Sequence, residues 1–354
     1  MSNKREFFLN FFLLIFASFL WGISFVFQSM ASNSLGTFSI NTFRSLIASL
    51  FLLPIALFSL YKNKKENKAI NYKISIIGGV FAGFFLALAS IFQQLGISTT
   101  STSKSGFITA FYIILVPLFS LFFKKKCGKN VYLAIVIALI GLGLLTLNSS
   151  FILESGDIYL FIGSILFSFQ IITIDRSSLK ANIFLLMLIQ MTVSGLLTAP
   201  FIALETINLA LIKEAILPIL FLGIFSNGLA YTIQVITQKV LNPTLASLLM
   251  SLESVFASLT GVIIYTFYKF SDVPQYLNLQ QTIGCIVMFI AVTLSILPSE
   301  WFTFSYWKNK KKKEENVQII FIYKTCFIKI LRLLRGVNLW QHYSYLLFIL
   351  YLYL

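Results

Sequence analysis

The chain has 354 residues, 58% of them apolar or aromatic and only 11% charged, with a mean hydropathy of +0.88. Soluble domains average about 45–50% apolar and about 25% charged residues, so an ordinary water-soluble enzyme is excluded: too little charge is left to cover a surface. The net charge of +15 is carried by lysines in short loops and by a basic tail. It therefore reads as membrane-flanking charge rather than a nucleic-acid-binding domain.

Ten long apolar runs follow one another, at about 7–30, 39–61, 74–97, 105–123, 131–147, 158–174, 183–204, 216–238, 244–267 and 280–297. A bilayer helix takes about 20 residues, and the runs at 131–147 and 158–174 are near the lower limit. Each must be helical, because lipid offers backbone N–H and C=O groups no partner. The first run follows Lys4 and Arg5 like a secretory signal, but it is too long for a signal core and nine more runs follow. It reads as a retained helix. After residue 300 come the basic run Lys308–Lys313 and short apolar stretches at 318–335 and 339–354. A translated frameshift is a live explanation of that tail, and no function is assigned to it.

Lysine and arginine give the orientation. The N-terminus and loops 62–73, 124–130, 175–182 and 239–243 hold fourteen of them; the alternate loops hold three, Lys104, Lys213 and Lys269. The N-terminus and residue 300 are thereby expected on the cytoplasmic side of the cytoplasmic membrane.

The chain has weak internal similarity. Gly79-Val80-Phe81-Ala82 resembles Gly223-Ile224-Phe225-Ser226, and Val116-Pro117-Leu118-Phe119-Ser120 resembles Glu253-Ser254-Val255-Phe256-Ala257, at offsets of 144 and 137 residues. Both offsets are close to five spans. Five is odd, so the second half enters from the opposite side, a transporter signature. The fold expected is all-α integral membrane, ten transmembrane helices in two inverted five-helix repeats. The repeats are 1–147 and 148–300, with 301–354 as a basic and apolar tail.

These features resemble the EamA-type transporters of the drug/metabolite transporter superfamily. The resemblance rests on Trp21-Gly22-Ile23-Ser24-Phe25, Arg44, Gln93-Gln94-Leu95-Gly96-Ile97, Ser105-Gly106-Phe107-Ile108-Thr109-Ala110, Val116-Pro117-Leu118 and Ser251-Leu252-Glu253-Ser254-Val255-Phe256-Ala257. Glu253-Ser254 departs from the family's frequent Glu-Pro, and Tyr268-Lys269 from its frequent Gly-Glu. The resemblance implies a central cavity lined by spans 1, 3, 4, 6, 8 and 9, and transport of small metabolites, often export.

Within the spans the buried ionisable groups are Arg44 and Glu253, and a charge at mid-bilayer costs roughly 2.5–3.5 kcal/mol on insertion scales. Glu253 lies ten residues into its span, about 15 Å along a helix, near the midplane. Two readings of it stay open: a proton carrier, or a structural carboxylate bonded to helix backbone or to Arg44. Arg44, the other candidate coupling or structural charge, lies nearer the outer face: either it faces the cavity or a partner, or it snorkels or caps a loop. Asn227, Tyr231 and Gln234 fall at i, i+4 and i+7 on one helix face. With Trp21 at the edge, Gln93, Gln94 and Tyr112, they make up the expected substrate cavity. Gln93 and Gln94 lie toward the outer end of their span and can instead line its mouth.

Gly79 and Gly83 form a close-packing Gly-x-x-x-Gly, and Pro54 and Pro117 are candidate kinks. Catalysis fails on inventory. There is one histidine, His342, in the tail, the cysteines Cys127, Cys285 and Cys326 are scattered, and no metal cluster, aspartate pair or phosphate-binding loop is present. No enzyme activity, metal or cofactor is expected. The expected partners are a small-molecule substrate and the lipid bilayer, with a homodimer left open. The reading is a secondary transporter of a small metabolite, an amino-acid-like solute or a drug by alternating access, with proton linkage through Glu253. The alternatives are a lipid flippase and a non-transporting sensor or scaffold.

Overall fold

The computed structural model describes residues 2–99, 102–122, 128–146, 155–206, 209–268 and 278–297. The tail beyond residue 297, the basic run 124–126 and the loop beginning at Lys269 lie outside the described residues. Every long element is helical. In order these are α1 (Ser2–Ser32), α2 (Thr37–Lys65), α3 (Tyr72–Ile97), α4 (Thr102–Thr109), α5 (Tyr112–Phe122) and α6 (Lys129–Thr146), then α7 (Ser155–Ser178), α8 (Ile183–Thr198), α9 (Leu209–Phe221), α10 (Tyr231–Thr237), α11 (Pro243–Met250), α12 (Glu253–Tyr268) and α13 (Leu279–Ile296). Two of the expected spans are each split in two, α4 with α5 and α11 with α12. A third runs from α9 through a π-helical segment, Leu222–Ala230, into α10. Among the described residues nine stretches are long and apolar enough to cross a membrane, and Lys129–Leu145 is a shorter apolar tenth.

Asparagine starts these helices repeatedly. The side chains of Asn71, Asn182, Asn242 and Asn278 accept hydrogen bonds of 2.8–3.0 Å from the backbone N–H groups of Ile74, Leu185, Leu245 and Gln281. Each satisfies a donor that the first turn leaves unpaired. Helix α2 starts differently: Gly36 precedes it, and the carboxylate of Glu205, from the loop after α8, accepts from Phe38 N (2.6 Å), Ser39 N (2.9 Å) and Ser39 Oγ (2.6 Å).

The helices pack as two inverted repeats, α1–α6 and α7–α13. The main inter-repeat contacts have counterparts after exchange of the halves. Helix α3 packs on α7 and α8, and the α9–α10 span packs on α1 and α2. Helix α2 packs on α8 and α6 on α13, each pair closing on itself. Helix α4 meets α12 while α5 meets α11, so the split spans lie antiparallel. Large apolar side chains such as Leu50, Leu57, Phe58, Phe81 and Leu217 are exposed on the perimeter. That perimeter suits lipid and is untenable in water.

The glycines correct the register of the repeat. A Cβ on Gly83 would lie 2.6 Å from Gln190 O and 2.9 Å from Val193 Cβ, and one on Gly223 would lie 2.5 Å from Ile47 Cγ2 and 3.2 Å from Arg44 O. Arg44 and Gln190 are each the eighth residue of their helices, so Gly83 and Gly223 meet the same i, i+3 pair, whereas Gly79 meets the pair one turn earlier, Leu186 O and Ile189 Cβ, both at 2.8 Å. Gly223 corresponds to Gly83 in these contacts and not, as the local sequence match has it, to Gly79. The split spans are offset similarly. Helices α4 and α11 are eight residues each, and Tyr112 and Glu253, the first residues after the two breaks, stand 141 positions apart. Val116, the sequence match for Glu253, is one turn too late.

The breaks themselves have one chemistry. Phe111 N donates to Ile108 O (3.2 Å) and Ile113 N to Ala110 O (3.0 Å). Leu252 N donates to Leu249 O (3.2 Å) and Ser254 N to Ser251 O (3.3 Å). Both pairs are i→i−3 bonds, which tighten the chain locally and reset the helical phase. Neither break falls at a proline: α2 runs through Pro54 and α5 through Pro117.

Candidate functional site

A polar cavity lies where the two halves meet. The space between its atoms is about 460 Å³, open end included. Its lining comes from spans 1, 3, 4, 6, 8 and 9, as the family resemblance implies, and also from α2. Helix α1 supplies Trp21, Ser24, Phe25 and Gln28, at i, i+3, i+4 and i+7 of one face. Helix α3 supplies Gln93, α7 supplies Phe167, Gln170 and Ile171, and α2 supplies Arg44.

The two breaks face each other across this space. Thr109 and Tyr112 flank the first, Met250 and Glu253 the second, and all four line the cavity. Tyr112 Oη donates to Glu253 Oε1 at 2.8 Å, which ties one repeat to the other at equivalent points. Among the described residues no ion pair joins Glu253 to Arg44. Tyr231 stands within electrostatic reach of both Arg44 and Glu253. Its ring packs edge-on against Trp21, centroids 5.0 Å apart.

Asn227, Tyr231 and Gln234 all line the cavity, with Ser226 beside them. The face expected from α-helical spacing survives, although Asn227 and Tyr231 are separated by the end of the π-helical segment. Wider π turns bring Ser226 onto the same face. Asn227 Nδ2 donates to Ser45 Oγ (3.3 Å) and Gln234 Nε2 to Gln170 Oε1 (3.4 Å).

Two expected positions are corrected. Gln94 is not part of the lining: its Nε2 donates to Ser32 Oγ (2.7 Å) and Gln28 O (3.4 Å), which turns it toward the end of α1. Its neighbour Gln93, one residue earlier on the helix, takes the cavity face. Arg44 neither snorkels nor caps a loop. It is 3% exposed, and it donates through Nη1 to Gln28 Oε1 (2.7 Å) and through Nη2 to Asn41 Oδ1 (2.6 Å).

Sequence reasoning did not place Gln28, Asn41, Thr109, Gln170 or Ser226 at the site. Gln28 carried a usable signal, since it lies seven residues after Trp21 and so shares its face. Several buried polar atoms of the lining have no protein partner: Trp21 Nε1, Arg44 Nε, Thr109 Oγ1, Gln170 Nε2 and Gln234 Oε1. Buried polar atoms are normally paired; these five face the cavity, and others without a protein partner, such as Ser164 Oγ and Gln190 Nε2, belong to residues outside its lining. Among the described residues no cluster of three His, Cys, Asp or Glu could hold a metal ion.

Comparison with known proteins agrees with this architecture. The profile of the EamA-like transporter family matches residues 9–147 and again 154–297. An "uncharacterized transporter" of Archaeoglobus fulgidus is 28% identical over 282 residues, covering 79% of this chain and 83% of its own. A solved crystal structure, described only as that of a protein, shares the fold at 14% identity and a TM-score of 0.62, covering 82% of this chain and 97% of its own.

Proposed function

Because the chain belongs to the EamA-like transporter family, whose profile spans both of its halves, we propose that this multi-pass membrane transporter exports a small metabolite by alternating access through the cavity between its repeats. Proteins of this class are generally not enzymes. The functional units are the repeats 1–147 and 148–300. The membrane is the cytoplasmic membrane and the N-terminus faces the cytoplasm, a reading supported by the lysine-rich alternate loops. The partners are the bilayer and a small solute with both polar and apolar surface, amino-acid-like in size, since the lining mixes amides with Trp21, Phe25 and Phe167.

One observation carries the reading: Tyr112 of the first repeat bonds Glu253 of the second at the two helix breaks, inside a polar cavity. An inverted repeat places its substrate and coupling sites at such interrupted helices near the midplane. Repeat movement that opens one side must stretch or break this bond. Gain or loss of a proton on the carboxylate changes what the bond is worth, which links protons to the cycle.

The test is flux through vesicles reconstituted with the purified chain, screened against a metabolite panel at several pH values. Uptake or release of a solute that depends on the protein is expected, with Glu253→Gln flattening its pH dependence. Unchanged pH dependence in a well-folded Glu253→Gln protein overturns the proton linkage. Movement of fluorescent phospholipid, with no solute flux, would assign the cavity to a flippase instead.

A further inference from the structure

Arg44 is a buried cation without an anion. Its Nη1 and Nη2 are each held by a neutral amide oxygen, Gln28 Oε1 and Asn41 Oδ1. Asn41 is itself oriented, because its Nδ2 donates to Thr37 O (2.9 Å) and Ser90 O (3.2 Å), which leaves the oxygen turned to the guanidinium. These bonds fix the fork in place but supply no negative charge. Among the described residues Arg44 Nε has no protein partner, and no carboxylate lies within ion-pair distance of the guanidinium. The residue lines the cavity.

A desolvated cation held this way is expensive unless something pairs it. A guanidinium presents a planar fork of N–H groups that matches a carboxylate. Residues that pin the fork without neutralising it leave its charge for a ligand, and the cavity's other surfaces set the rest of that ligand. Trp21, Phe25, Phe167 and Ile171 offer apolar walls.

We infer that Arg44 is the anchor for a carboxylate on the transported solute, with Gln28 and Asn41 as positioning residues, and that the substrate class is a small carboxylate with an apolar body. The inference rests on the transporter reading above, which leaves the solute's charged group unassigned. The counterpart position in the second repeat shows how singular the arrangement is. Arg44 and Gln190 are each the eighth residue of their helices, α2 and α8. The second half therefore carries a neutral amide where the first carries the cation.

The test is thermal unfolding of the purified full chain in lipid nanodiscs, titrated with propionate, with propionamide, and with sodium chloride at matched ionic strength. Propionate is expected to raise the unfolding midpoint in a saturable way, and propionamide and chloride are not. Arg44→Gln should lose the shift. Arg44→Lys, which keeps the charge and loses the fork, should need about tenfold more propionate. Equal shifts from propionate and propionamide, or from propionate and chloride, would overturn the inference; so would a propionate shift that survives in Arg44→Gln. If Arg44→Gln does not fold, the wild-type comparison and Arg44→Lys decide the matter. Vesicle flux separates the two claims. Propionate protection without flux of any carboxylate sinks the transport reading and leaves the anion site. Flux confined to uncharged solutes, with no propionate protection, leaves transport and sinks the anion site.

Discussion

Spans three and eight occupy equivalent places in the two repeats, yet they are built differently. Helix α3 is regular for 26 residues and presents glycines to α8. Its counterpart passes through nine residues of π-helix between α9 and α10. At the start of the π segment Gly83 matches Gly223, 140 positions apart, while beyond it the cavity-lining Gln93 and Gln234 stand 141 apart. One extra residue between those two pairs is what a π bulge absorbs: it lets a helix take an insertion without rotating both of its ends out of register. The lesson is that the second repeat has kept its packing faces and used one inserted residue to widen its polar face, where Ser226 and Asn227 sit. The first repeat keeps a smooth helix there and contributes one glutamine.

The sharpest way to break this comparison is deletion of single residues. Removing Leu229 from the π segment should return the span to regular α-helix with both ends still in register. The protein should then fold, as judged by a monodisperse size-exclusion profile, while transport falls because Asn227 leaves the cavity face. Removing Ala87 from α3 should instead rotate half of that helix by about 100°, take Gly83 or Gln93 off its contact, and abolish folding. Equal tolerance of the two deletions would contradict the insertion.

Glycine substitutions test the register itself. Alanine at Gly83 would drive a methyl against Gln190 O and Val193, and alanine at Gly223 against Ile47. Overpacking of this kind costs typically 1–3 kcal/mol, and the two equivalent sites should lose about the same amount of stability in unfolding measurements. Gly106 is the contrast: its nearest neighbour would be Ser254 Cα at 3.3 Å, so Gly106→Ala should cost clearly less than either.

Much of this fold was legible in the sequence and part of it was not, for reasons that differ by residue. Span order, loop charge and the shared face of Asn227, Tyr231 and Gln234 follow from hydropathy and helical phase, which any lipid-exposed helix must obey. The register of the repeat did not follow, because Phe, Leu and Ile interchange freely on lipid-facing positions and blur a self-match by one turn. The breaks at Ala110-Phe111 and Ser251-Leu252 contain no glycine or proline to announce them. What marks them is a contact between the breaks, Tyr112 with Glu253, between residues 141 apart and so invisible to local sequence. The snorkelling alternative for Arg44 fails because depth along a span says how far a side chain is from water only if it points at lipid. This one points at Gln28, on another helix.

Tyr112→Phe probes the meeting of the two breaks. It removes the hydroxyl that donates to Glu253 Oε1 and keeps the ring buried. Glu253 lines the cavity instead of packing wholly against apolar side chains, so the loss should be near that of one hydrogen bond, about 1 kcal/mol. The effect on transport should be larger than on stability: flux should become less steeply pH-dependent, in the direction of Glu253→Gln. A Tyr112→Phe protein whose pH profile matches wild type would show that the bond does not serve the transport cycle.

The smallest effect expected concerns the two carboxylates that follow the equivalent helices α2 and α8. Glu205 caps α2 with three hydrogen bonds to Phe38 and Ser39. Glu205→Gln keeps an acceptor but removes the charge at a helix N-terminus, a loss of about 0.3–1 kcal/mol. Glu66 ends α2 in open solvent and meets only side chains, Lys68 Nζ at 2.6 Å and Lys62 Nζ at 3.9 Å. The hydrogen bond from Lys68 holds its carboxyl below the ordinary value. A depressed carboxylate stabilises the fold above the unfolded-state value, and that contribution is lost as pH falls through the folded one. The sign thus predicts a decline in acid for the wild type that Glu66→Gln lacks. Full exposure and salt screening shrink it below detection. Unfolding midpoints of wild type and Glu66→Gln should superimpose from neutral pH to about pH 3, whereas Glu205→Gln should lie below both near neutrality. A Glu66→Gln curve that departs from wild type in acid would mean that the lysine-rich turn after α2 is held as firmly as the cap on its other end.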